Sequence, residues 1–231
     1  HTGPATPIWF DRTSKLALKT ELWQNKNEDI TGVMLYVCEG IETSIVLNGK
    51  IMSSFSFDAG NFAHMTVNPQ GPECTCGNQG CWELFSGFQY FLEDYPDKSP
   101  DEKVYDTFLR FKDDCLNKKD TALHFLDRYI YWFTMGLENI IAGLYLPEIL
   151  IGGYASELWE LMAEKVTASL NIRFKQYDPW HRKVRAIDHD VQTILDGAAL
   201  LAMSYVIHVD LYRELFVDSY QELQHITKAE N

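Results

Sequence analysis

Residues 60–83 read Gly-Asn-Phe-Ala-His-Met-Thr-Val-Asn-Pro-Gln-Gly-Pro-Glu-Cys-Thr-Cys-Gly-Asn-Gln-Gly-Cys-Trp-Glu. The stretch is rich in Gly, Pro and Asn, so no regular helix or strand is expected to run through it. Three of the five cysteines of the chain fall within eight residues of it, in the spacing His64-x9-Cys74-x-Cys76-x4-Cys81. Thiolates and imidazole suit Zn²⁺, which takes four such donors tetrahedrally. Gly77, Asn78 and Gly80 let the backbone turn sharply enough to return Cys81 to the Cys74–Cys76 pair. Four protein donors close the coordination sphere. The expectation is therefore one structural zinc on His64, Cys74, Cys76 and Cys81.

Outward from this loop, the pattern is α/β. Residues 31–38 (TGVMLYVC) form a β-branched, apolar run that predicts a buried strand, and residues 43–47 predict a second. Asn48-Gly49 predicts a two-residue hairpin, because a type I′ turn needs positive φ at both positions, and residues 50–57 predict the returning strand. Upstream, residues 6–10 predict a short buried strand and residues 12–23 a helix. Downstream, helical spacing is expected over 81–92, 103–116 and 121–144, the last heavily apolar. Residues 147–153 (PEILIGG) predict a strand ending in two glycines at a helix start. Helices are then expected over 156–170 and 193–208, a strand over 183–187 and a helical tail over 210–228. Gly197, Ala198 and Ala199 leave room for close helix packing.

Composition narrows the function classes. The 231 residues carry a net charge of −13, with 46% hydrophobic and 23% charged residues. An acidic chain without a Lys/Arg stripe is not expected to bind nucleic acid directly, and no apolar run is long enough to span a membrane. Cys38 and Cys115 bring the cysteines to an odd count, which argues against a disulfide framework and for a reducing, cytoplasmic compartment. His1-Thr2-Gly3-Pro4 reads as an expression remnant or the cut edge of a longer protein.

The run from Gly60 to Glu83 resembles the zinc motif of the ROK family (repressor, open reading frame, kinase). That motif is roughly Gly-Glu-x-Gly-His, a spacer, then Cys-x-Cys-Gly-x-x-Gly-Cys-x-Glu. His64, Cys74, Cys76, Gly77, Gly80, Cys81 and Glu83 match it. GIETSIVLNGK at 40–50, LENIIAGLYLPEILIGGYAS at 137–156 and LDGAALLA at 195–202 resemble further family segments. The resemblance implies an actin-like (ribonuclease H-like) sugar-kinase fold. It implies that residues 1–30 end a first lobe and that residues 31–231 form a second lobe with the zinc loop at 60–83. An Asp-x-Gly-x-Thr phosphate motif and, in repressor members, a winged helix are expected further upstream.

The resemblance also distributes roles. Asp11 matches the general base of the kinases, although Phe10 stands where the family has Asn; its other reading is a helix N-cap. Sugar contacts are implied for Asp11, Asn61, His64 and Glu83, with Asn61 replacing a carboxylate and Ala63 a glycine. On the nucleotide side, Gly152 and Gly153 match one loop, and Gly40 is what survives of a second, glycine-rich phosphate loop. Glu39 and Glu42 would set negative charge beside the phosphates there. The expected function is therefore a sugar-sensing effector domain of a ROK-type (NagC/XylR-like) transcriptional regulator of carbohydrate metabolism, without kinase activity. Its effector would be a small sugar or sugar phosphate, its state a homodimer, and its DNA contact only through an upstream winged helix. The alternatives are an ATP-dependent sugar kinase, glucokinase- or fructokinase-like, and a degenerate dimerisation scaffold.

Overall fold

A computed structural model describes residues 8–25, 30–52, 60–175, 183–187 and 190–206. The run GVMLYV forms β1 (Gly32–Val37), which is buried along its whole length. A strand covered on both faces needs apolar residues at every position, which is why this run lacks polar alternation. β2 (Ile41–Leu47) pairs antiparallel with β1, and β3 (Lys50–Ile51) pairs antiparallel with β2. Asn48 and Gly49 between them have φ of 50° and 72°, as the hairpin reading requires. β4 (Glu148–Gly153) lies parallel to the other side of β1, and β5 (Lys183–Ala186) lies parallel to β4. The sheet order is β3-β2-β1-β4-β5.

Alternation on β1 assigns the two faces. Val33, Leu35 and Val37 enter a core shared with the helices that follow the metal loop. After the short α2 (Glu83–Ser86), the helices that contribute are α3 (Phe88–Phe91), α4 (Val104–Leu116), α5 (Asp120–Leu144), α6 (Tyr154–Glu157) and α7 (Trp159–Phe174). Leu126, Tyr129, Ile130, Phe133, Leu137, Ile140 and Ile141 repeat every three or four residues and form the buried stripe of α5. Met34 and Tyr36 point the other way, onto Ala17, Leu18 and Leu22 of α1 (Thr13–Gln24). α8 (Val191–Val206) packs on α1 at Gly197, where a Cβ would come within 2.1 Å of the Leu16 carbonyl oxygen. The result is a helix–sheet–helix sandwich.

Several elements differ from the sequence expectation. Of the strand expected over 6–10, residues 6–7 lie outside the described residues, and residues 8–10 are irregular, with Ile8 84% and Phe10 77% exposed. Among the described residues the expected strand 50–57 forms β3 at Lys50–Ile51, with Met52 N–H on the Ile45 carbonyl at 2.8 Å, and residues 53–59 lie outside the described residues. The expected helix 81–92 is split at Gly87, because Phe88 N–H and Gln89 N–H bond the carbonyls of Cys38 and Glu39. The helix expected over 156–170 is α6 followed by α7, and the tail 210–228 lies outside the described residues.

Candidate functional site

The metal loop starts on β2. The Thr43 hydroxyl donates to the Gly60 carbonyl and accepts from Phe62 N–H at 3.0 Å. A single 3-10 turn, Phe62–His64, then presents His64. From Thr66 to Cys81 the backbone doubles back through short bridges, Thr66 to Cys81 and Glu73 to Gln79. The Asn78 amide donates to the His64 carbonyl at 3.1 Å and to the Thr66 hydroxyl at 3.0 Å. Gly80, at φ 66°, passes so close to Asn68 that a Cβ would sit 1.6 Å from its carbonyl oxygen. The glycines are therefore needed for closeness as well as for turning.

This folding brings the four expected donors together. Cys74 Sγ lies 3.6 Å from His64 Nδ1, and Cys76 Sγ lies 3.6 Å from Cys81 Sγ. All four donor atoms fall within 4.8 Å of one another. Zinc at about 2.3 Å from sulfur and about 2.0 Å from nitrogen would space tetrahedral donors roughly 3.5–3.8 Å apart. The donor set and spacing fit such an ion after a small contraction. Burial and the neighbouring sulfurs push the Cys81 thiol up to about 12 in the absence of a cation. Backbone N–H of Asn78 holds the Cys76 thiol below its ordinary value. A bound divalent cation reverses the Cys81 penalty, since a coordinating thiol is deprotonated outright.

His64 and Glu83 meet, with His64 Nδ1 3.8 Å from Glu83 Oε2. Glu83 also reaches the turn between β1 and β2: its Oε1 lies 3.4 Å from Ile41 N–H and would be 2.6 Å from a Cβ at Gly40. Gly40 thus makes room for a carboxylate. Asn61 caps the 3-10 turn, its side-chain oxygen accepting from Ala63 N–H at 3.3 Å. Asp11 stands just before α1, where Oδ1 accepts from Arg12 N–H at 3.0 Å and lies 3.7 Å from Lys15 Nζ. It does not cap the helix; Glu42 does, with Oε2 accepting from Ser14 N–H at 2.9 Å. Gly152 and Gly153 pack tightly on β1, where Cβ atoms would fall 2.7 Å from the Tyr36 ring and 2.3 Å from the Val37 carbonyl oxygen.

Sequence reading missed several residues that build this region. Ser14 Oγ and Ser44 Oγ lie 2.8 Å apart, tying α1 to β2 beside Glu42. Trp82 is fully buried, with its indole N–H on the Trp132 carbonyl at 3.0 Å. Nothing local in the sequence signals contacts between residues 30 or 50 positions apart. A separate polar cleft of about 280 Å³ lies between α1, β5 and α8. There Arg185 is held by Glu21 at 2.5 Å and Glu148 at 2.7 Å, so its charges satisfy one another. Among the described residues no helix is long and apolar enough to cross a membrane.

The fold and site define a mixed α/β protein of the actin-like sugar kinase and regulator class, with a Cys₃His cluster that could hold a metal ion. The chain belongs to the ROK family, whose sequence profile matches residues 6–204. It is 30% identical over 116 residues to the xylose repressor of Bacillus subtilis (strain 168), covering 50% of this chain and 29% of that protein. It is 24% identical over 173 residues to the glucokinase of Halalkalibacterium halodurans, covering 69% and 52%. Alignments thus span about a quarter to a half of the length of these relatives. In structure the chain is similar to a ROK hexokinase from Thermus thermophilus, with TM-score 0.71, 20% identity, and coverage of 88% of this chain and 67% of that one. It is also similar to a ROK family transcriptional regulator homologous to the E. coli MLC protein, with TM-score 0.66, 19% identity, and coverage of 88% and 52%. At these identities the structural likeness is one of fold. The family relatives include both regulators and kinases.

Proposed function

We propose that the chain is the sugar-sensing effector region of a ROK transcriptional regulator, without kinase activity. The observation that carries this reading is Glu42. From the second position of β2, within the stretch 38–44 where the family resemblance puts phosphate-binding glycines, its carboxylate accepts from Ser14 N–H at 2.9 Å at the start of α1. A helix N-terminus with a free N–H and no facing side chain attracts an anion. Here the chain supplies its own anion, and a nucleotide phosphate would meet a carboxylate instead of open amides. Phosphoryl transfer depends on positioning and charge neutralisation, so this substitution acts against it directly.

In this reading one zinc on His64, Cys74, Cys76 and Cys81 is structural and fixes the segment that carries Asn61, His64 and Glu83 toward a sugar. With Nδ1 on the metal side, Nε2 of His64 is left to meet a sugar hydroxyl, and Glu83 accepts from another. Asp11 contributes from the α1 side. Residues 31–231 act as one lobe, copies pair as homodimers in the cytoplasm, and DNA contact comes from a winged helix outside the 231 residues. A coupled ADP-release assay on the full-length protein with a panel of hexoses tests the reading. No turnover, together with a sugar-dependent rise in melting temperature, is expected. Turnover of several per second with any hexose would make the protein a kinase, and no stabilisation by any sugar at millimolar concentration would leave a scaffold.

A further inference from the structure

The four donors of the cluster are unequally protected. Cys81 is fully buried and Cys74 is 6% exposed, whereas Cys76 is exposed. Outside the cluster, Cys115 is buried and Cys38 is half-buried. An oxidant diffusing in solution therefore meets Cys76 first. The Cys81 sulfur lies 3.6 Å from it. Cys74 Sγ lies 3.6 Å from His64 Nδ1, and all four donor atoms are within 4.8 Å of one another.

We propose that Cys76 is a site of modification by hydroperoxides and that Cys81 is its resolving thiol, so that the cluster opens by forming a Cys76–Cys81 disulfide. This rests on the metal-cluster reading for its consequence, but not for its chemistry. Cys76 sulfur attacks a peroxide oxygen, the O–O bond breaks, and Cys76 sulfenic acid and one water are the products. Cys81 sulfur then attacks Cys76 sulfur, the S–O bond breaks, and a second water leaves with the disulfide formed. Two thiols lose two electrons and two protons, and one hydrogen peroxide becomes two waters.

The backbone permits the closure from one side. A disulfide needs the sulfurs at about 2.05 Å, so roughly 1.5 Å of approach is required. Cys81 cannot supply it easily: it is bridged to Thr66, and the next residue, Trp82, bonds Met65 through its N–H at 2.9 Å. Cys76 sits on a tight turn closed by Gly77 N–H on the Cys74 carbonyl at 2.9 Å. Around Gly77 nothing lies within 4 Å of a Cβ, so the turn stands in open space. Once Cys76 and Cys81 are joined, two of the four donors are gone, and His64 and Cys74 alone are too few to retain zinc. Oxidation would thereby unfasten the segment that presents His64 and Glu83.

The test treats the purified protein with a small excess of hydrogen peroxide, traps free thiols with an alkylating agent, and maps disulfides by peptide mass spectrometry. A chromogenic chelator reads released metal in parallel. The expected result is a Cys76–Cys81 link as the first product, two thiols lost per chain, one zinc released per link, and reversal by dithiothreitol. Cys38→Ser should leave this unchanged, and Cys76→Ser should abolish the link; the wild-type map stands even if the latter variant folds poorly. First oxidation at Cys38 or Cys115, a Cys74–Cys76 link, or sulfinic acid on Cys76 with no link would overturn the proposal. A protein that carries no metal as purified yet forms the Cys76–Cys81 link would refute the metal reading while leaving the modification site in place.

Discussion

Gly136→Ala should destabilise the protein although it improves helix propensity. A Cβ at this position of α5 would fall 1.9 Å from Trp82 Cε2 and 2.3 Å from Cδ2 and Cζ2. Ordinary contact begins at 3.4 Å, so the indole must retreat by about 1.5 Å. Trp82 has no free space, being fully buried, and its N–H is committed to the Trp132 carbonyl. Overpacking of this kind costs about 1–3 kcal/mol. Losing the indole hydrogen bond inside the core costs about 1–3 kcal/mol more. Alanine in place of a helical glycine returns about 1 kcal/mol. The net is a loss of roughly 1–5 kcal/mol, which for a chain of this size lowers the melting temperature by roughly 2–20 °C. Urea unfolding reads it as a lower midpoint at unchanged slope. Gly143→Ala on the same helix is the control, because nothing lies within 4 Å of its Cβ; it should gain up to about 1 kcal/mol. Trp82 follows Cys81 directly, so Gly136→Ala should also retain less metal. A Gly136→Ala protein as stable as its parent would refute the packing argument.

Glu42→Ala removes the cap on α1 and should lower stability by about 1–2 kcal/mol in a denaturant titration; an unchanged midpoint would show that the Ser14 contact contributes nothing. Chelation of the cluster metal should lower the melting temperature and zinc should restore it, since binding to the folded form alone adds stability by mass action. Cys81→Ser should bind less than one ion per chain by metal analysis. Lys19 of α1 is buried, and burial chiefly lowers its pKa to about 8, with Asp11 opposing. Between about pH 8 and the ordinary lysine value of 10.5, the unfolded chain holds a proton that the folded one has lost, so this residue's contribution to stability rises with pH there. Lys19→Met should therefore stabilise by up to about 3 kcal/mol below pH 8, at about 1.4 kcal/mol per pKa unit. That advantage should vanish above pH 10.5 when the two unfolding curves are compared; a difference independent of pH would show that Lys19 does not titrate this way.

The sequence was most legible where local chemistry is self-sufficient. Asn48-Gly49 dictated a turn, β-branched runs dictated strands, and the cysteine loop dictated a cluster whose donors do converge. It was least legible where an element owes its form to a distant partner. Residues 8–10 look like a strand, but they form none among the described residues, and Ile8 and Phe10 are exposed. Gly87 breaks a helix that its own sequence would continue, because the carbonyls of Cys38 and Glu39 capture the next two N–H groups. Asp11 reads as a cap by position, yet the cap comes from Glu42, 28 residues from Ser14. Gly152 and Gly153 match a ligand-facing loop by pattern, while their lack of side chains is already required by contact with Tyr36 and Val37.

These contacts converge on one short segment, the turn and first strand residues from Cys38 to Ser44. On the metal side, Glu83 lies against Gly40 and Ile41 N–H while its other oxygen faces His64. On the opposite side, Glu42 and Ser44 hold the first turn of α1, and α1 in turn carries α8 at Gly197. Thr43, between them, anchors the start of the metal loop. A ligand that hydrogen-bonds Glu83 shares that carboxylate with Ile41 N–H, and this amide lies one residue from the Glu42 cap. In the sensor reading this gives sugar binding a covalently short route to the α1–α8 layer, without any phosphate in the site. It also explains why a cluster that only clamps would matter to signalling: with the metal loop unfastened, Glu83 is no longer held at the turn, and the route starts from a group that has no fixed position.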